Sequence, residues 1–149
     1  MPHRKLNEIV RGQQVLHVTP DTTIRQAVSQ MAERNKATTL ILADGELQGI
    51  FTERDLVKRV VAPGLDPDKT AISAVMTPSP MVVDGDGLGF EAVRLMHEGG
   101  MHHMVVSGLE TADSGGTGYA VVSMRDIFGS EMASFEREIE FENKVWEEI

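Results

Sequence analysis

The chain repeats itself. Ala27-Val28 and Met31 recur as Ala92-Val93 and Met96, 65 residues on, and at that offset Val18 falls on Val83. TLILADG (39–45) matches HMVVSG (103–108), and IFTERDL (50–56) matches VVSMRDI (121–127), now 71 residues on. One deletion before His102 and seven extra residues after Ser107 account for the drift. The extra residues fall in GLETADSGGTG, whose glycines mark a lengthened hairpin loop. Four matches in one order point to duplication. A unit of about 60 residues buries its surface poorly alone, so two such units are expected to stack and share a core.

Each unit reads strand, helix, strand, strand, helix. In the first, residues 15–18 are a short apolar run ended by Thr19-Pro20-Asp21. Ile24, Ala27, Val28, Met31 and Ala32 then recur at helical spacing, behind a Thr23/Gln26 capping box. Two apolar segments, 39–43 and 47–51, flank Asp44-Gly45, a two-residue hairpin signal. A second helix follows Thr52, with Leu56, Val57, Val60 and Val61 as its apolar side, and stops at Ala62-Pro63-Gly64. The second unit runs through 81–83, 88–98, 103–106, 119–122 and 124–128. The expected fold class is α+β: two pseudo-symmetric β-α-β-β-α repeats stacked through their sheets, plus an acidic C-terminal amphipathic helix.

Composition narrows the function. At 149 residues, 41% apolar and 25% charged, the chain is ordinary for one globular domain. No apolar run is long enough for a membrane span, and the start, MPHRKLNEIV, has no apolar core of a signal peptide, so a cytoplasmic setting is expected. With no cysteine, disulfides and thiolate chemistry are excluded. The net charge of −9 gives no support for a grip on DNA or on anionic membrane. That charge lies mostly in residues 131–149, where seven Glu face only Arg137 and Lys144.

The chemistry sits at two helix starts, Thr52-Glu53-Arg54-Asp55 and Ser123-Met124-Arg125-Asp126. A hydroxyl at this place caps the helix, and the free N–H groups and positive dipole end favour a phosphate. The Asp three residues on lies one turn along the same face, where a carboxylate can accept both hydroxyls of a ribose. Ser/Thr-x-x-Asp is also close to an ordinary capping box. Two features favour a ligand. The motif occurs at the equivalent point of both repeats, and Arg54 and Arg125 stand in the first turn, where a cation opposes the dipole but can pair with a phosphate.

VTPDTTIRQAVSQM, TLILADGELQGIFTERDLVKRV and VMTPSP together resemble the cystathionine-β-synthase (CBS) domain pair, over residues 7–132. The second copy departs from the pattern in Ala120, where the family usually has Gly, and in Leu88-Gly89-Phe90, which replaces a Thr-Ile helix start. On this resemblance residues 1–6 form an N-terminal tail, 7–63 and 72–132 the two repeats, 64–71 a linker, and 133–149 the C-terminal helix. The resemblance implies regulation rather than catalysis. It implies an adenine nucleotide (AMP, ADP or ATP) or an adenosyl ligand (NAD, S-adenosylmethionine), with or without magnesium, in clefts between the repeats. Thr52 and Asp55, and Ser123 and Asp126, would hold phosphate and ribose. Gly12, Val15 and Leu16 in the first unit, and Thr77, Pro80 and Met81 in the second, would line the adenine. A basic pair that meets phosphates maps onto His102 and His103, against Thr38 and Thr39 in the first unit, so unequal sites are expected. The Ala120 departure would narrow a ligand's approach to its strand.

His97, His102 and His103 also raise a metal site, but adjacent His102 and His103 should face opposite sides of a strand. Met101 and Met104 either line the pocket or pack in the core. Met132, Phe135, Ile139, Trp146 and Ile149 fall at heptad-like steps, with Phe141 and Val145 beside them. Such a helix should dock on its own module or on a partner subunit. The resemblance implies a homodimer, and an unidentified protein effector to receive the signal. The alternative is a structural or adaptor homodimer without a nucleotide. No Gly-x-Ser-x-Gly elbow or phosphate-binding P-loop motif argues for an enzyme.

Overall fold

The computed structural model describes residues 4–147, including the side chains of all of these except 113 and 130–136. In chain order, α1 (Leu6–Ile9) precedes β1 (His17–Val18), α2 (Ile24–Glu33), β2 (Thr38–Ala43), β3 (Glu46–Thr52) and α3 (Glu53–Asp55). α3 continues as a π-helix over Leu56–Val61. After a 3₁₀ turn at Ile72–Ala74 come β4 (Thr77–Pro78), β5 (Val82–Asp84), α4 (Gly89–Gly99), β6 (His103–Ser107), β7 (Ala120–Ser123) and α5 (Met124–Glu147). One sheet runs β1-β2-β3-β4 and the other β5-β6-β7. The leading strand of each lies parallel to its neighbour and the remaining pairs are antiparallel.

Strand register makes the duplication explicit. His17 lies opposite Leu40 as Val82 lies opposite Val105, and Thr38 opposite Thr52 as His103 opposite Ser123. The 65-residue offset therefore holds through β6 and steps to 71 only beyond it. There is no deletion before His102, and the counterparts of His102 and His103 are Ala37 and Thr38, one place earlier than the sequence alignment set them. The sheets meet through Leu40 and Ile50 of one and their counterparts Val105 and Val121 of the other, with Val15 and Leu42. Each repeat has its own core behind that contact.

Local signals explain most elements. Thr23 and Gln26 form the expected capping box, and α2 buries Ile24, Ala27 and Met31, while Ala32 faces solvent. Ala43 pairs with Glu46 across Asp44 and Gly45, both at positive φ, as a two-residue primed turn requires. The apolar stripe after Thr52 is wider than the core it meets. Leu56 and Val60 pack inward, but Val57 and Val61, one residue further round, are 62% and 67% exposed.

The repeats exchange their leading segments. Leu6, expected in the tail, is fully buried in the second repeat's core, with Val10 beside it. Leu6 N donates to Gly87 O (2.8 Å), Asn7 N to Gly85 O (2.8 Å), and Gly89 N to Arg4 O (2.9 Å). The first repeat mirrors this. Ile72 is fully buried there, Ile72 N donates to Thr22 O (2.7 Å), Ser73 N to Pro20 O (3.2 Å), and Ile24 N to Thr70 O (3.0 Å). Leu88 has no side chain able to cap α4, and the Arg4 carbonyl takes up one of the free N–H groups at that helix start.

Candidate functional site between the repeats

Both Ser/Thr-x-x-Asp motifs fold as reciprocal capping boxes. Asp55 N donates to Thr52 Oγ1 (3.2 Å), and Thr52 N donates to Asp55 Oδ2 (2.9 Å). Asp126 N donates to Ser123 Oγ (3.2 Å), and Ser123 N donates to Asp126 Oδ2 (2.9 Å). Each carboxylate thus engages one oxygen locally. The other oxygen of Asp55 lies 3.6 Å from Arg59 Nε. Arg59 Nη1 in turn donates to Met76 O (3.0 Å) and Val75 O (3.3 Å), tying the helix start to the segment that leads into β4. The sequence reading missed Arg59, although an Asp and an Arg four residues apart on a helix are a recognisable pair. The second oxygen of Asp126 makes no hydrogen bond among the described residues.

Two clefts open where the repeats meet. The first has a volume of about 480 Å³, within the range of roughly 300–1,000 Å³ typical of small-molecule sites. Thr52, Glu53, Arg54 and Asp55 form one wall, from the first repeat. Thr77, Pro80 and Met81 come from the start of the second, and Met101, His102, His103 and Met104 complete it. Met101 and Met104 serve both roles weighed for them, since they also pack in the second core. The second cleft is smaller, about 200 Å³. Ser123 and Asp126 meet Val15, Leu16, Lys36 and Thr38 there. Each cleft therefore combines a helix start of one repeat with the strand entry of the other. Gly12 and Arg125 line neither cleft. Lys36 was not anticipated.

The two sheets also differ at one edge. β4 pairs with β3, placing Gly49 opposite Pro78 and Ile50 opposite Thr77. A Cβ on Gly49 would sit 2.8 Å from Thr77 O and closer still to Met76 Sδ, so only glycine fits beneath that strand. Among the described residues the second sheet has no fourth strand. The Gln13 side chain takes that edge, its Nε2 donating to Val121 O (2.8 Å) and its Oε1 accepting from Val121 N (2.8 Å). With no strand crossing it, Ala120 is tolerated and buried in the second core. Ala120 lines neither cleft.

His103 is half-buried and belongs to both clefts. Burial, and then the neighbouring His102, hold its pKa below the ordinary value, against opposing pulls from Asp126 and Glu53. Among the described residues no cluster of His, Cys, Asp and Glu is arranged to hold a metal, and no helix is long and apolar enough to cross a membrane.

Comparison with known proteins agrees with this architecture. The CBS domain family model matches twice, over residues 8–62 and 72–132. A CBS domain-containing protein of Arabidopsis thaliana, CBSCBSPB1, is 35% identical over 96 residues, which are 64% of this chain and 18% of that protein. The chain thus spans under a fifth of the length of that curated relative. A protein with CBS domains from Burkholderia ambifaria superposes with a TM-score of 0.75 at 25% identity, covering 87% of this chain and 95% of the other. A CBS domain protein of Pyrobaculum aerophilum complexed with AMP superposes with a TM-score of 0.69 at 21% identity, covering 83% and 89%.

Proposed function

The chain belongs to the CBS-domain family, and on that premise we propose that it is a regulatory module, not an enzyme, which binds an adenine nucleotide in the first cleft and signals its occupancy to a partner protein. The observation that carries this reading is the pairing within one cleft of ligand volume: the Thr52–Asp55 helix start faces the apolar Pro80, Met81 and Met101. The Arg54 N–H and guanidinium at the positive end of the helix suit a phosphate, the Asp55 carboxylate suits ribose hydroxyls, and thioether and proline surfaces suit a flat base. The bound AMP of the Pyrobaculum relative supports the ligand class. The smaller second cleft, with Ser123 and Asp126, is proposed as a weaker site. A homodimer is proposed as the working assembly, since Ile139, Phe141, Val145 and Trp146 of α5 are all exposed.

A second reading, an adaptor without a nucleotide, is favoured by one observation: both aspartates already serve as helix caps. Asp55→Asn separates the two readings, because an amide oxygen still accepts the Thr52 N–H. The test is a thermal-shift and calorimetric series with AMP, ADP, ATP, NAD and S-adenosylmethionine. A nucleotide at 100 times its dissociation constant should stabilise the parent by about 2.7 kcal/mol. Asp55→Asn, which keeps the cap but loses the Arg59 ion pair, should lower the ligand-free melting temperature only slightly and bind at least tenfold more weakly, and 2′-deoxy-AMP should lose affinity for the parent but little for the variant. If no nucleotide shifts the parent, the adaptor reading stands.

A further inference from the structure

We propose that His103 is a proton-accepting anion receptor shared by the two clefts, so that binding of a phosphate-bearing ligand in either cleft takes up a proton and the two clefts are coupled through it. This rests on the reading of the clefts as nucleotide sites and adds their regulation. The geometry carries it. His103 is the first residue of β6, paired with Ser123 of the second motif, yet it also lines the cleft of the first motif. A single imidazole therefore borders both candidate sites, and a ring charged by one phosphate is already protonated for the other. Its counterpart in the first repeat is Thr38, which cannot titrate. Nothing on the pseudo-symmetric side duplicates its role.

The surroundings set the sign. His102 adjoins it on the same strand entry, Glu53 of α3 approaches from the first cleft, and Asp126 of α5 from the second. Arg54 and Asp55 complete the charged groups of the first cleft, and Lys36 those of the second. In the empty protein, burial and His102 favour the neutral ring. A phosphate arriving against that ring favours the charged form, so binding draws a proton from solvent. Affinity for an anionic ligand should then fall as pH rises, with a limiting slope of about tenfold per pH unit for one linked proton.

The test is calorimetry of AMP binding to the full chain in buffers of differing ionisation enthalpy, between pH 5.5 and 8, for the parent and for His103→Thr. The substitution copies the first repeat's own residue, so the fold is expected to hold, and a melting curve checks this. The variant also subtracts the titration of the AMP phosphate itself, which has a pKa near 6. The parent should take up a fraction of a proton approaching one with the first AMP and little with the second, and filling one cleft should change the affinity of the other. His103→Thr should abolish that uptake, flatten the excess pH dependence and make the two clefts independent. Equal proton uptake in parent and variant, or two AMP binding independently to the parent, would overturn the proposal while leaving the nucleotide reading intact. Absence of AMP binding to the parent at any pH would remove both.

Discussion

Gln13 and Val121 exchange two hydrogen bonds of 2.8 Å, the side-chain amide of one pairing with the backbone of the other as a neighbouring strand would. The residues lie 108 positions apart, so this pair also fastens the segment before β1 to the second repeat. Gln13→Leu leaves the Val121 N–H and C=O without partners at a site only 7% exposed. The expected cost is about 1–3 kcal/mol in urea unfolding. Gln13→Glu, which keeps the acceptor but sets a carboxylate oxygen against the Val121 carbonyl, should cost at least as much. A Gln13→Leu protein as stable as the parent would mean that water replaces the amide freely.

Gly49 and Ala120 occupy equivalent positions, but exchanging each for the other's residue should destabilise for different reasons. Gly49→Ala drives a methyl into Thr77 O and Met76, displacing β4 and costing about 1–3 kcal/mol. Ala120→Gly meets no such strand; it removes a buried methyl and adds chain entropy, and should cost about 1–2 kcal/mol. Hydrogen exchange of the Ile50 and Thr77 amides reports on the β3–β4 pairing and should quicken only in Gly49→Ala.

Leu6→Ala and Ile72→Ala should destabilise by similar amounts, about 2–5 kcal/mol each, since each removes a fully buried aliphatic group from the opposite repeat. Unfolding of either variant should remain a single transition seen alike by near-UV and far-UV dichroism. Separate melting of the two repeats in the Leu6→Ala protein would show that the exchanged segments do not couple them.

Trp146 is the chain's one tryptophan and is 73% exposed on α5. If α5 pairs with a second copy, its emission should move to shorter wavelength as protein concentration rises, in step with a doubling of mass in sedimentation. Emission that stays that of a water-exposed indole while the mass doubles would place the dimer contact elsewhere. Of the remaining seam residues, Met132, Phe135 and Ile149 lie outside the described side chains.

Residues acting through their near neighbours were legible in the sequence. Thr23 with Gln26, Asp44-Gly45, and the two Ser/Thr-x-x-Asp motifs all form as the local pattern predicts, because capping and tight turns are settled within four residues. Long-range partners were not. Leu6 reads as part of a tail until its contact at Gly87 is known, and Gln13 carries no mark that its amide will stand in for a strand. The histidine alignment slipped by one residue because apolar β2 and β6 match almost equally well in either register by composition, and only pairing to β3 and β7 decides between them. Of the candidate ligand residues, all but two reach the clefts. Gly12 and Arg125 do not, because sequence spacing does not report which way the chain turns at those points.

The reciprocal loan of leading segments has a consequence for how such a module can spread among larger polypeptides. A gene fusion carrying only one copy would deliver a half whose socket for Leu6 or Ile72 stood empty and sticky. Its helix start would also lack the carbonyl that the other half lends. Inheritance as an indivisible cassette follows from those few hydrogen bonds, and a severed half would be prey for proteases or would seek the same embrace from a second molecule.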